Sequence, residues 1–406
     1  MATGANPVAA AKPKYDLADI AIVLLSSLAL AFAALFLCVV SSASKIAGTR
    51  DFVAYYATGR QLVQHADPYD AGAIRQIERA SGLAEDVVLL MRNPPWALPL
   101  AWPLGFAGVR VASLLWSLML LACLLISVHL IHKMHGSPPG QIHWLGLCFT
   151  PALICLTMGQ TALFPLLGVT LFLRFHQTHP FRAGAALWLC TLKPHLLLPF
   201  AVTLLAWVVV TRGYRVLAGA TAAMAASCLL TLAIYPPAFA RYTELMRSPA
   251  VVLEFVPCLS DVMRFAIDRQ AVWLQYLPGA LCSIWAVWYY WRRRESWNWL
   301  NNGSVLLVIS LVSAPYSYVY DQAIAIPALI GAAYKVRHRY LLLVLIGFFI
   351  IIGLQSTKEK VSSLGYVWTA PAWLIWYLLA SAPGEVPSIA SESAPLPAAA
   401  QPESGR

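Results

Sequence analysis

Long apolar runs separated by short polar breaks recur along most of the chain. The first spans residues 17–40, after Lys12 and Lys14. A cleavable signal peptide has an apolar core of about 7–15 residues, so this longer run predicts an anchor that stays in the membrane. Further runs lie at 109–131, 142–156, 161–175, 183–192, 195–210, 216–235, 271–291, 300–314, 321–334, 340–354 and 364–380. This pattern predicts an all-α polytopic membrane bundle with about 12 transmembrane helices. It forms a single domain over 1–380, followed by a Pro-, Ala-, Ser- and Glu-rich disordered cytoplasmic tail at 381–406.

Between the first two runs lies the longest polar stretch, residues 41–108. Over 51–65 the spacing places Phe52, Tyr55, Tyr56, Leu62 and Val63 near one helical face, and Asp70 is placed to cap a second short helix over Ala71–Ala80. The stretch thus predicts short helices on the membrane surface. It closes on a proline-broken apolar segment from Asn93-Pro94-Pro95-Trp96 to Trp102-Pro103-Leu104, which suits a re-entrant or surface-lying path rather than a regular span.

Charge decides the orientation. With the N-terminus in the cytoplasm and the runs alternating, His132-Lys133, Arg182, Arg212 and Arg215, Arg292-Arg293-Arg294, and Lys335, Arg337 and Arg339 all fall on the cytoplasmic side. The opposite short loops hold Gly159-Gln160, Lys193-Pro194 and 316–320, and only the last, 356–360, is clearly charged. Both termini are therefore expected in the cytoplasm. The crossings around Gln160 and Lys193 are shorter than the roughly 20 residues a span needs, which places their turns below the membrane surface, where protein or a water-filled cavity must line them.

Composition supports this reading. The chain of 406 residues is 60% hydrophobic and 11% charged, against about 25% charged in a soluble protein. A net charge of +10 held in the loops points to topology and anionic lipid rather than to nucleic acid. Of eight cysteines, Cys38, Cys123, Cys148, Cys155, Cys190, Cys228 and Cys282 lie in apolar runs and Cys258 in a loop, with no C-x-x-C. They read as small buried hydrophobes. His132, His135 and His143 lie close in sequence near the cytoplasmic surface, without the pattern of a metal site.

Four polar groups stand on the outer side: Arg50-Asp51-Phe52, Gly159-Gln160, Lys193-Pro194-His195, and Tyr316 through Asp321. Asp51 and Asp321 each have a plainer reading as helix caps, and Gln160 as a turn residue. Lys193 is harder to explain so, because an ammonium between two short apolar runs cannot easily reach the cytoplasm. The proline beside it breaks the helix, and His195 adds a second donor, so the pair reads as an anion site.

The motifs Asp51-Phe52-x-x-Tyr55-Tyr56-x-x-Gly59, Asp67-Pro68-Tyr69-Asp70 and Asn93-Pro94-Pro95 resemble the first outer loop of the polyprenol-phosphate-mannose-dependent mannosyltransferases, glycosyltransferase family 87, membrane enzymes of the GT-C class. Gly159-Gln160, Leu192-Lys193-Pro194-His195 and the stretch from Ala314-Pro315 to Tyr320-Asp321 resemble that family as well. The resemblance spans nearly the whole chain. It implies a multi-pass enzyme of the inner (plasma) membrane with an extracytoplasmic site, taking a sugar, mannose by the family's name, from a polyprenyl-phosphate donor to a lipid or glycan acceptor. It also implies Asp51 as catalytic base. Lys193, His195 and Arg92 are then the expected contacts to the donor phosphate, and Tyr55, Asn93, Gln160, Tyr320 and Asp321 the expected substrate-binding residues. A single-phosphate leaving group calls for no metal and no cofactor. The competing reading is a transporter or lipid flippase with Lys193, His195 and Asp321 along its path; the absence of a visible internal repeat and the acid in the outer loop favour the enzyme.

Overall fold

The computed structural model describes residues 50–83 and 88–382. The first apolar run, with Cys38, and the tail beyond 382 lie outside the described residues. Among the described residues every regular element is helical.

The first two helices are α1, Arg50–Val63, and α2, Ala71–Ala80. Asp70 caps α2, its carboxylate accepting from the Gly72 and Ala73 N–H groups. Most of α2 is exposed or partly exposed, but α1 departs from the expected surface-lying helix: residues 52–59 are buried without a break. Two glycines explain this. A Cβ on Gly59 would lie 2.3 Å from the Ala101 carbonyl oxygen, and one on Gly105 only 2.1 Å from that of Gly59. Backbone therefore meets backbone, and the proline-broken segment folds over α1 as short turns at Pro95–Ala97, Leu98–Ala101 and Trp102–Phe106. Gly105→Ala is expected to force the two apart at a cost of about 1–3 kcal/mol, the usual range for overpacking. A melting temperature in detergent equal to the parent's would refute that close contact.

The irregular backbone of this segment is satisfied by protein. Ser227 donates to the Trp96 carbonyl at 2.6 Å and Thr231 to that of Pro95 at 3.0 Å. The next helix, α3, Val109–Met134, buries Ala112, Trp116, Leu120, Cys123, Ser127 and Ile131 at helical spacing, while Leu114, Leu115, Leu118 and Leu121 point outward.

Beyond it the runs fragment. Residues 142–156 become a short turn, Ile142–Gly146, followed by α4, Thr150–Met158; then comes α5, Leu163–Phe175. Residues 183–192 divide between α6, Pro180–Ala186, and a tight turn, Leu187–Leu192. A second turn, Pro194–Leu197, leads into α7, Leu198–Thr211, and then α8, Tyr214–Ile234. The α6–α8 contact is again made by small residues: a Cβ on Gly184 would lie 1.9 Å from the Val216 carbonyl oxygen, and one on Gly219 equally close to that of Phe181.

The polar stretch 236–270 forms α9, Ala238–Met246, and α10, Leu259–Ile267. The remaining helices are α11, Leu277–Arg293; α12, Trp299–Val312; α13, Ile326–Ala333; α14, Tyr340–Lys358; and α15, Thr369–Ser381. Among the described residues, four stretches are long and apolar enough to cross a membrane: α3, Pro194–Thr211, α8 and α14. The apolar helices Leu163–Phe175, Trp299–Val312 and Val319–Ala333 are shorter. At 1.5 Å per residue, thirteen residues reach only about 20 Å, short of the hydrocarbon thickness of about 30 Å. The cysteines carry no pairing among the described residues, and Cys228 and Cys282 are only partly buried, unlike the other described cysteines.

Candidate active site

The ends of these shortened helices meet α1. Gly159 terminates α4 in the left-handed region at φ +72°, which glycine adopts without strain. The Gln160 N–H returns to the Cys155 carbonyl at 3.0 Å and the Gly159 N–H to that of Leu156 at 3.3 Å, the paired bonds of a Schellman ending. Trp116 holds the turn from α3, donating to the Gly159 carbonyl at 2.7 Å. Gln160 is thereby aimed at α1 from a fixed backbone.

Its side chain is the centre of a polar run. Gln160 Nε2 donates to Asp51 Oδ2 at 3.0 Å. Gln160 Oε1 accepts from Tyr55 Oη at 3.2 Å and from Lys193 Nζ at 3.0 Å. Lys193 Nζ also donates to Asp321 Oδ1 at 2.6 Å and sits 4.9 Å from the centre of the Tyr320 ring. Asp321 Oδ2 in turn accepts from the Tyr318 N–H at 3.0 Å, so this carboxylate both closes the first turn of its helix and pairs with the lysine. Burial, and then the charge of Asp51, push the Tyr55 phenol well up, so that it remains a donor.

Of the residues expected from sequence, Asp51, Tyr55, Gln160, Lys193, Tyr320 and Asp321 thus come together from four separate parts of the chain. Asn93 stands beside them as a clamp. Its amide nitrogen donates to the Leu192 carbonyl at 2.9 Å and to Thr161 Oγ1 at 3.3 Å, tying the two irregular turns to each other. His195 takes another direction, its ring stacked 3.7 Å from that of Tyr316. Arg92 pairs with Glu254, which accepts from Tyr318 Oη at 3.0 Å; Tyr318 stacks on Tyr320 at 5.2 Å. Arg92 is thus linked to the cluster through a carboxylate of the 236–270 stretch.

Glu254 stands in no motif of the sequence. The available signal was the density of charge at Arg241, Glu244, Arg247, Glu254, Asp261, Arg264, Asp268 and Arg269 within one polar gap. That gap is tied to the rest of the protein and within itself by its charged residues. Arg241 pairs with Asp67 at 2.6 Å, and buried Arg264 donates to Gln275 Oε1 and to the Val252 carbonyl. Burial raises the Asp261 carboxyl despite the Val256 N–H and the Arg264 guanidinium beside it.

The two carboxylates differ in their surroundings. Asp321 is 2% exposed, and both its oxygens are occupied by donors. Asp51 is partly exposed and faces a neutral amide.

An all-helical membrane protein with an acid–amide–lysine–acid run gathered at the ends of its short helices has the parts of a group-transfer site. The chain belongs to glycosyltransferase family 87, whose model matches residues 92–315, more than half of its length. It is accordingly a membrane glycosyltransferase, acting on a sugar donor and an acceptor. Arg92, Asn93, Gln160, Lys193, His195 and Glu254 lie within the matched residues; Asp51 precedes them, and Tyr320 and Asp321 follow. No curated protein and no solved structure matches the chain.

Proposed function

We propose that the protein transfers a sugar, mannose by the resemblance of its motifs, from a polyprenyl-phosphate donor to a lipid or glycan acceptor on the extracytoplasmic face of the inner membrane. About 12 crossings carry it there, the short ones completed by neighbouring helices. The observation that carries the reading is the hydrogen-bonded run from Asp51 through Gln160 and Lys193 to Asp321.

In this mechanism the acceptor hydroxyl oxygen attacks the anomeric carbon while its proton passes to Asp51. The bond from that carbon to the phosphate oxygen breaks, and the electron pair leaves with polyprenyl phosphate. One displacement inverts the anomeric centre. The departing phosphate monoester is a stable anion, so it needs positive charge and donors rather than a general acid. Lys193 supplies the charge, shared with Asp321, and His195, stacked on Tyr316, and Arg92, paired with Glu254, are the further donors toward the phosphate. Tyr55, Asn93 and Tyr320 shape the sugar pocket.

The test has two arms. Purified protein incubated with several polyprenyl-phosphate sugars and a host lipid extract is expected to yield a product one hexose heavier, with mannose the preferred donor. A single cysteine at position 67, on a cysteine-free background, is expected to react with a membrane-impermeant maleimide from outside the cell. Transfer only from nucleotide sugars, or labelling only from the cytoplasm, would end this reading.

A further inference from the structure

One amide oxygen in the cluster faces three donors. Gln160 Oε1 receives Lys193 Nζ at 3.0 Å, Tyr55 Oη at 3.2 Å and the Thr161 N–H at 3.4 Å. An ammonium and a backbone N–H can only donate, and the buried phenol keeps its proton. The reverse amide orientation would set an NH₂ group against an ammonium. The oxygen is therefore locked on this side, and the nitrogen is turned onto Asp51 Oδ2 at 3.0 Å. The backbone beneath is equally constrained: Gln160 N–H returns to Cys155, Cys155 Sγ donates to the Gln160 carbonyl at 3.1 Å, and Trp116 grips Gly159.

We propose that Gln160 is a positioning residue for Asp51 rather than a substrate contact, with Lys193 and Tyr55 fixing the orientation of its amide. This rests on the reading of Asp51 as the base. The lysine charge polarises the amide, whose N–H then holds the carboxylate in one rotamer and favours its ionised form. The buried Lys193–Asp321 pair is thus coupled to the base through the Gln160 side chain.

The test compares the full-length parent, Gln160→Met and Gln160→Glu in lipid nanodiscs, with a short-chain polyprenyl-phosphate mannose as donor and host lipid extract as acceptor, across pH. Gln160→Met is expected to lower kcat about 10- to 100-fold, the scale of a misaligned reacting group, with the donor KM changed by less than about threefold. The acid limb of its kcat/KM profile moves to higher pH, because the carboxylate has lost a donor. Gln160→Glu keeps the acceptor oxygen for Tyr55 and Lys193 but sets a carboxylate beside Asp51, so its acid limb moves further in the same direction. It carries the test should Gln160→Met fail to fold. In an Asp51→Asn background, Gln160→Met should add less than about threefold, since residues acting as one unit are not additive.

A raised donor KM with kcat and the acid limb unchanged would make Gln160 a substrate contact and overturn the proposal. So would a full multiplicative loss in the double variant while Asp51→Asn alone is impaired; that outcome leaves Asp51 as base and removes only the role of Gln160. Full turnover by Asp51→Asn removes the base and this proposal together.

Discussion

Asp51→Asn is expected to insert and melt like the parent yet transfer sugar about 10²–10⁴-fold more slowly, the usual contribution of a positioned general base. The substitution keeps the size and one acceptor oxygen of the side chain, so the bond from Gln160 Nε2 can persist. It also serves a helix start about as well as aspartate does. What it removes is the proton acceptor. Asp51 lies in the first turn of α1, and a purely structural role there predicts the opposite pattern. Turnover in Asp51→Asn would then stay near the parent's, and Asp51→Ala would lose about 0.5–2 kcal/mol of stability. Parallel rate and melting measurements on the two variants separate these cases. Parent-like turnover in a folded Asp51→Asn would sink the mechanism, and the search for a base would pass to the other acids near the cluster. Asp321 is the poorest of these, since the lysine and a backbone N–H already hold both of its oxygens.

The second large effect is at Lys193. Lys193→Ala should weaken donor use by about 2–4 kcal/mol, far more than it affects use of the acceptor, if the ammonium faces the donor phosphate. The ion pair adds a complication that can be measured. Lys193 is 9% exposed and Asp321 2%, so removing the lysine strands a buried carboxylate, a loss of about 3–5 kcal/mol in comparable buried pairs. Lys193→Ala is thus expected to lose stability as well as turnover. Lys193→Met combined with Asp321→Leu removes both charges and should recover most of the stability, because apolar replacement of a buried pair is often neutral. Its transfer rate should stay low. Recovery of activity along with stability in the double variant would reduce Lys193 to a structural residue.

Both substitutions probe a cluster whose members were visible one by one in the sequence. Lys193 stands out as an ammonium between two short apolar runs, and Asp51 as an acid in a long polar segment. Their partnership was not visible. No periodicity relates Gln160 to Asp51, 109 positions away, or Lys193 to Asp321, 128 positions away. Such contacts depend on how helix ends converge, and that follows from packing. Glu254 illustrates the same limit from the other side: as a lone acid in a polar gap it had no pattern, yet it links Arg92 to Tyr318 across two segments.

Composition and apolar periodicity by themselves determined that this chain is a helical membrane protein, because lipid accepts neither excess charge nor unpaired backbone. The order of its short motifs determined the family. Local chemistry settled the start of α2, since an Asp70 cap is satisfied within three residues. Only the tertiary structure decided that α1 is enclosed rather than lying on a surface. That outcome depends on Gly59 and Gly105 meeting at backbone distance, and one-sided hydrophobicity along α1 carries no information about what covers its other face. It also decided that Lys193 is held by Asp321 and that the Gln160 amide reaches Asp51. A side chain's charge is written in the sequence, but its partner is set by which distant segments pack close enough to reach it, and that partner determines whether a carboxylate anchors a cation or takes up a proton.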